Sequence, residues 1–165
     1  MADSLTSSIS VLIKADDIKD MDLQDGKCNL SLSFSDSLAS GTAADQAAVI
    51  FHDQRSLAAT SETLDLAGTL TDTFGGVVTF AKVRCLHIEN VNTTAGNDLV
   101  IGGATASALN TLFGATTDKI TVRAGGLLTL WAPKDGYSVT SATADLLKID
   151  AGTNTVVYKI VIIGT

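Results

Sequence analysis

VVTFAKVRCLHIEN, residues 77–90, is the stretch on which the fold reading turns. It holds Val77, Val78, Phe80, Val83, Cys85, Leu86 and Ile88, with no glycine or proline. β-Branched and aromatic side chains favour a pleated, half-buried surface. The apolar residues do not alternate cleanly with polar ones, which predicts one strand over 77–90 covered on both faces. Such a strand belongs in the interior of a sheet assembly, not at an edge. Gly75-Gly76 precedes it and the polar run NTTAGND, residues 92–98, ends it.

Moving outward, Ile9, Val11 and Ile13 mark a first strand. Cys28, Leu30, Leu32 and Phe34 alternate with Asn29, Ser31 and Ser33, the pattern of a one-sided strand with its apolar side chains turned inward. Residues 35–46 read as a polar loop. Two strands are expected at 48–52 and 56–66, and 67–76 is either a loop or one helical turn. Beyond the central stretch, 99–101 is a short strand and 104–113 has the composition of a short helix stopped by Gly114. Strands then follow at 119–123, 127–132, 137–140, 146–149 and 155–163. Gly125-Gly126, Asp135-Gly136 and Ala151-Gly152 supply the turns. The last run, TVVYKIVIIG, is apolar on both faces and is placed inside. About ten short strands at near-regular spacing predict an all-β fold. The expected architecture is an antiparallel β-sandwich, jelly-roll-like, with little helix. Residues 1–8, MADSLTSS, are small and polar and read as a flexible N-terminal arm on a single domain spanning 9–165.

Composition fits this reading. A chain of 165 residues suits one domain, and 45% hydrophobic with only 5% aromatic residues predicts a core of Val, Ile, Leu and Ala. Fourteen glycines against one proline, Pro133, fit frequent tight turns. The net charge of −7 is uneven. Residues 1–75 carry four Lys and Arg against twelve Asp and Glu, whereas residues 76–165 carry seven against six. Such a surface repels phosphate backbones, so no nucleic-acid partner is expected. The plain reading is a solvated acidic surface; the alternative is an acidic segment that docks on a basic partner. Residues 1–10 lack the basic and apolar regions of a signal peptide, and no stretch reaches the ~20 apolar residues of a membrane helix. Cytoplasmic synthesis and no membrane partner are the expectation. Cys28 and Cys85 both fall in apolar runs and read as small buried hydrophobes; their pairing stays open.

Candidate chemistry is sparse. The run ADDIKDMDLQDG, residues 15–26, is rich in Asp but fails as a calcium loop. Counting from Asp20, the sixth residue is Asp25 where glycine is required, and the twelfth is Ser31 where glutamate is required. A solvated acidic turn is the expectation. His52 and Asp53 are adjacent and Ser56 is near, but neighbouring strand residues point to opposite faces. His52 and His87 read as strand residues, not bases or ligands. The two glutamates, Glu62 and Glu89, are isolated. Trp131, Tyr137 and Tyr158 offer a sugar platform only if they converge, and Trp131 within LLTLWAP reads as packing. No catalytic, cofactor-binding or metal-binding residues are assigned, and no enzyme activity or cofactor is expected.

Five blocks together resemble small structural proteins encoded in the head-gene regions of tailed bacteriophages. They are FHDQRSLAAT (51–60), LDLAGTLTDTFG (64–75), VTFAKVRCLHIENVNTTAGNDLVIGGA (78–104), VRAGGLLTLWAPKDGYSVT (122–140) and YKIVIIG (158–164). The resemblance implies a capsid decoration, or cement, protein on the virion head surface, made in the host bacterial cytoplasm. Its partners would be the major capsid protein of the assembled shell and itself, as a homo-oligomer, a trimer by that resemblance. Two other virion roles stay open: a glycan- or receptor-binding module, and a tail-tube or tail-tip subunit.

Overall fold

The computed structural model describes residues 4–68 and 70–165. Fourteen strands run through them and no helix does. In chain order they are β1 (Ser7–Lys19), β2 (Gly26–Ser40), β3 (Gln46–Ala47), β4 (Val49–Ala58), β5 (Ser61–Asp65), β6 (Leu70–Thr71) and β7 (Val77–Val78). There follow β8 (Lys82–Asn90), β9 (Leu99–Gly102), β10 (Lys119–Val122), β11 (Leu127–Trp131), β12 (Tyr137–Ser138), β13 (Leu146–Asp150) and β14 (Thr155–Gly164).

Two antiparallel sheets form the body of a β-sandwich. One has the order β11-β8-β14-β4, with β12 also paired to β8, and the other β10-β9-β13-β5. Side chains alternate between faces, so each strand offers every second residue to the space between the sheets. Leu128, Ile88 and Ile160 are direct neighbours across β11, β8 and β14, as are Leu130, Leu86 and Ile162 one rung on. Ile88 and Ile160 are buried, and Leu128 and Leu130 pack against them half-buried. The second sheet contributes Leu64, Leu99, Ile101, Leu147 and Ile149 to the same cluster. Expectation and structure agree on β14: it runs between β8 and β4, with buried residues on both faces.

The stretch 77–90 is not one strand. Val77–Val78 forms a separate two-stranded ribbon with Leu70–Thr71, and only Lys82–Asn90 is central. Asp72 closes the β6–β7 turn: its Oδ1 accepts the N–H of Phe74 and of Gly76. Phe80 is then buried with its N–H on the Leu66 carbonyl, so the chain changes direction before β8 begins. The helix expected at 104–113 is absent. Ala108 and Leu109 are buried, Ala108 bridges to Leu146, and Thr111 donates its hydroxyl to the Ser138 carbonyl. The Leu109 N–H goes to the Leu146 carbonyl, and the Phe113 and Gly114 N–H groups close a single turn on the Asn110 carbonyl.

The largest departure concerns residues 7–40. The predicted inward strand at 28–34, the acidic turn at 15–26 and the polar loop at 35–46 are mostly parts of one long hairpin, β1–β2. Leu30, Leu32 and Phe34 point to solvent, not to a core. Of the arm expected at 1–8, residues 1–3 lie outside the described ones, and Ser7 and Ser8 pair with Leu38 and Ser37.

Candidate interaction surface

The β1–β2 hairpin pairs Ser7 with Leu38 at its base and Lys19 with Gly26 near its tip. Strand alternation on both sides makes it form, since directly opposed residues share a face. One face carries Ile9, Val11, Ile13 and Ala15 on β1 against Asp36, Phe34, Leu32 and Leu30 on β2. The reverse face carries Ser8, Ser10, Leu12 and Lys14 against Ser37, Ser35, Ser33 and Ser31. In a two-layer protein the first face would be core. Here Val11, Ile13, Leu30, Leu32 and Phe34 are all exposed. From the Val11–Phe34 pair to the tip the arm spans nine residues per strand, or about 30 Å at ~3.3 Å per residue. The turn beyond it bears Asp20, Asp22 and Asp25 with exposed Met21 and Leu23.

The base of the arm is fixed to the outer face of the β11-β8-β14-β4 sheet. Leu38 and Ala47 form a second buried cluster with Cys85 and Ile163, and Leu5, Ile50, Trp131 and Val161 pack around it. The Trp131 indole donates to Asp36 Oδ2 at 2.8 Å. That bond, followed by the Ser37 N–H, holds the Asp36 carboxyl below the ordinary Asp value of 3.8. The Lys134 ammonium meets Asp45 at 2.5 Å, and the Asp45 N–H donates to the Pro133 carbonyl. β2 continues past the arm to pair in parallel with β3 through Ala39 and Ser40.

A β-bulge positions the central anchor. Ile163 pairs with Cys85 but Gly164 pairs with Val83, leaving Arg84 as the extra residue. Gly164 permits it: a Cβ there would lie 1.9 Å from the Lys82 carbonyl oxygen. Arg84 is buried, and its guanidinium donates to the carbonyls of Pro133 at 3.0 Å, Lys134 at 2.5 Å and Ala43 at 3.1 Å. A buried cation thus ties the loop ahead of β3 to the loop after β11. The anchor was invisible in sequence because its partners are backbone carbonyls about forty and fifty residues away.

Elsewhere the candidate residues stay apart. His52 and Asp53 on β4 are exposed. His87 Nδ1 is 2.8 Å from Thr129 Oγ1. Glu89 pairs with Lys159 at 3.1 Å. Glu62 accepts from Arg55 and from the Tyr158 hydroxyl, both at 2.5 Å. Burial first, and that hydrogen bond second, push the Tyr158 phenol far above its ordinary value. The three aromatics do not form a platform: Tyr158 is in the core, Tyr137 packs partly against it, and Trp131 lies under the arm. Cys28 is exposed, contrary to expectation, and Cys85 is buried; neither is paired. Burial pushes the Cys85 thiol up to about 11. Among the described residues no three His, Cys, Asp or Glu side chains converge as metal ligands, and no helix is long and apolar enough to cross a membrane. No family model, curated protein or solved structure matches this chain.

Proposed function

We propose that this protein is a structural component of a tailed-bacteriophage virion, a capsid decoration protein that binds and stabilises the assembled head. The observation that carries the reading is the amphipathic arm, anchored at its base, whose exposed apolar face is a contact surface. A two-stranded hairpin alone is marginal in water, so an arm of this length is a contact device. It acts in a homo-oligomer, for which the family resemblance implies three copies, and on the major capsid protein of the shell. The acidic tip, Asp20, Asp22 and Asp25, is the part best suited to a basic patch on that shell. Binding only the assembled state stabilises it, and many weak copies add up. The protein works without cofactor or catalytic group, at the head surface, and neither nucleic acid nor membrane is its partner.

Strand order supports the same picture. Numbered in chain order, the eight longer body strands β4, β5, β8, β9, β10, β11, β13 and β14 form sheets 1-8-3-6 and 2-7-4-5. Two nested Greek keys produce that order, and we read the body as a jelly roll, an architecture suited to capsid-associated modules.

Co-sedimentation with shells lacking the protein tests the proposal. Full-length protein should pellet with shells saturably, raise their melting temperature and bind less as salt increases. The triple variant Asp20→Asn, Asp22→Asn, Asp25→Asn should bind more weakly. Absence of any co-sedimentation at low salt, or localisation to tails in imaged virions, refutes the reading.

A further inference from the structure

We infer, independently of the virion reading, that the free edge of β11 pairs with the β11 edge of a second copy of this chain, antiparallel about a two-fold axis at Thr129. β11 and β4 end one sheet of the body, β10 and β5 the other. β4 carries Asp53 and Arg55, β5 carries Glu62 and Asp65, and β10 carries Lys119. Charges of this kind keep an edge strand from pairing with another chain. β11, LLTLW, has none. Phe51 on β4, Leu64 on β5 and Val122 on β10 are buried, whereas no residue of β11 is. Leu128 and Leu130 pack against the core cluster and are still only half-buried. An uncharged, apolar strand left uncovered along one side is a pairing site.

The hydrogen-bond pattern of β11 says what a second copy meets. The Asn90 N–H donates to the Gly126 carbonyl, and the Ala132 N–H to the Arg84 carbonyl. In an antiparallel ladder bonded residues alternate, so Leu128 and Leu130 also turn their backbone groups to β8. Leu127, Thr129 and Trp131 turn theirs to the open side, where no strand pairs among the described residues. About an axis at Thr129 these three outward residues meet one another. Thr129 faces its own counterpart, and Leu127 of each copy faces Trp131 of the other, with two hydrogen bonds for each pair. A shift of two residues either way sets one outward residue against the turn that flanks the strand. On the core side Leu128 of one copy lies beside Leu130 of the other, the apolar neighbour each lacks in a single chain. On the outer side Leu127, 63% exposed, lies beside the Trp131 side chain. The sequence is therefore self-complementary in the register that its free groups require, which favours a second copy over an unrelated strand. Such a contact joins copies two at a time and is separate from any three-fold contact.

Light scattering coupled to size exclusion, on the full chain at concentrations up to about 1 mM, decides this. Thr129→Pro removes the central outward N–H and sets its ring on the open side, where an edge strand tolerates proline. Thr129→Val keeps that N–H and, like the proline variant, loses the hydroxyl that meets His87. Leu127→Lys adds a charge to the strand at an exposed side chain, and it decides the matter if circular dichroism shows the proline variant unfolded. Wild type and Thr129→Val should reach twice the mass of Thr129→Pro and of Leu127→Lys. Amide hydrogen exchange at Leu127, Thr129 and Trp131 should slow in the paired wild type. Equal mass for wild type and Leu127→Lys at every concentration overturns the inference. A loss of mass in Thr129→Val equal to that in Thr129→Pro also overturns it, since the hydroxyl and not the edge would then be responsible. Failure of paired wild type to bind shells would sink the virion reading alone.

Discussion

Replacing Ile88 by Ala tests whether the two-sheet body, not the hairpin, carries the stability of the chain. Ile88 is fully buried, two residues from the end of β8, with Leu128 beside it on β11 and Ile160 on β14. The substitution removes three carbons, worth about 2.4 kcal/mol at ~0.8 kcal/mol per buried methylene. Neighbours on both flanking strands prevent full collapse, so a cavity term of about 1–2 kcal/mol is added. The expected loss is about 4 kcal/mol, read as a shift of the urea midpoint at constant slope. In a thermal scan it corresponds to a fall of roughly 8–16 °C for a chain of this size. Ile18→Ala is the internal control. Ile18 is equally aliphatic but lies exposed near the arm tip, so its loss should stay within ~0.5 kcal/mol. A loss below ~1 kcal/mol for Ile88→Ala, or equal losses for both, would show that the β8 rung is not where the body is held together.

Two further perturbations probe the mounting of the arm. Arg84→Met keeps the aliphatic stem but withdraws three charge-assisted donors from the Ala43, Pro133 and Lys134 carbonyls. A cost of about 3 kcal/mol is expected, with new protease cleavage in residues 36–47; unchanged cleavage would refute the anchoring role. Asp36 sets a pH dependence whose sign follows from its lowered pKa. Because the folded value lies below the ordinary 3.8, the Asp36–Trp131 contact is fully present above that pH and is lost as pH falls through the lower folded value. Fluorescence of Trp131, the single tryptophan, should change with an acid midpoint below 3.8, and Asp36→Asn should abolish that step. A midpoint unaltered by Asp36→Asn would assign the change to another group.

The β class, the antiparallel sandwich and most of its strands were legible in residue order. Period-two alternation and glycine turns are local signals, and β9 to β14 follow them nearly to the residue. The interior position of β14 was legible too, because a strand apolar on both faces has to be covered twice. Alternation also marked residues 28–34 as a strand with one apolar face. What alternation cannot encode is whether another layer lies against that face. Leu30, Leu32 and Phe34 carry the pattern of a core strand and are exposed, because β2 pairs with β1 alone over that length and no second sheet reaches them. Arg84 is the converse case. Its burial depends on a bulge opposite Gly164 and on three carbonyls from distant loops, none of which leaves a mark near residue 84. Local pattern determined the strands and their apolar faces. Only long-range pairing decided which faces became core and which became the open side of an arm, since burial is a property of what packs against a strand and not of the strand itself.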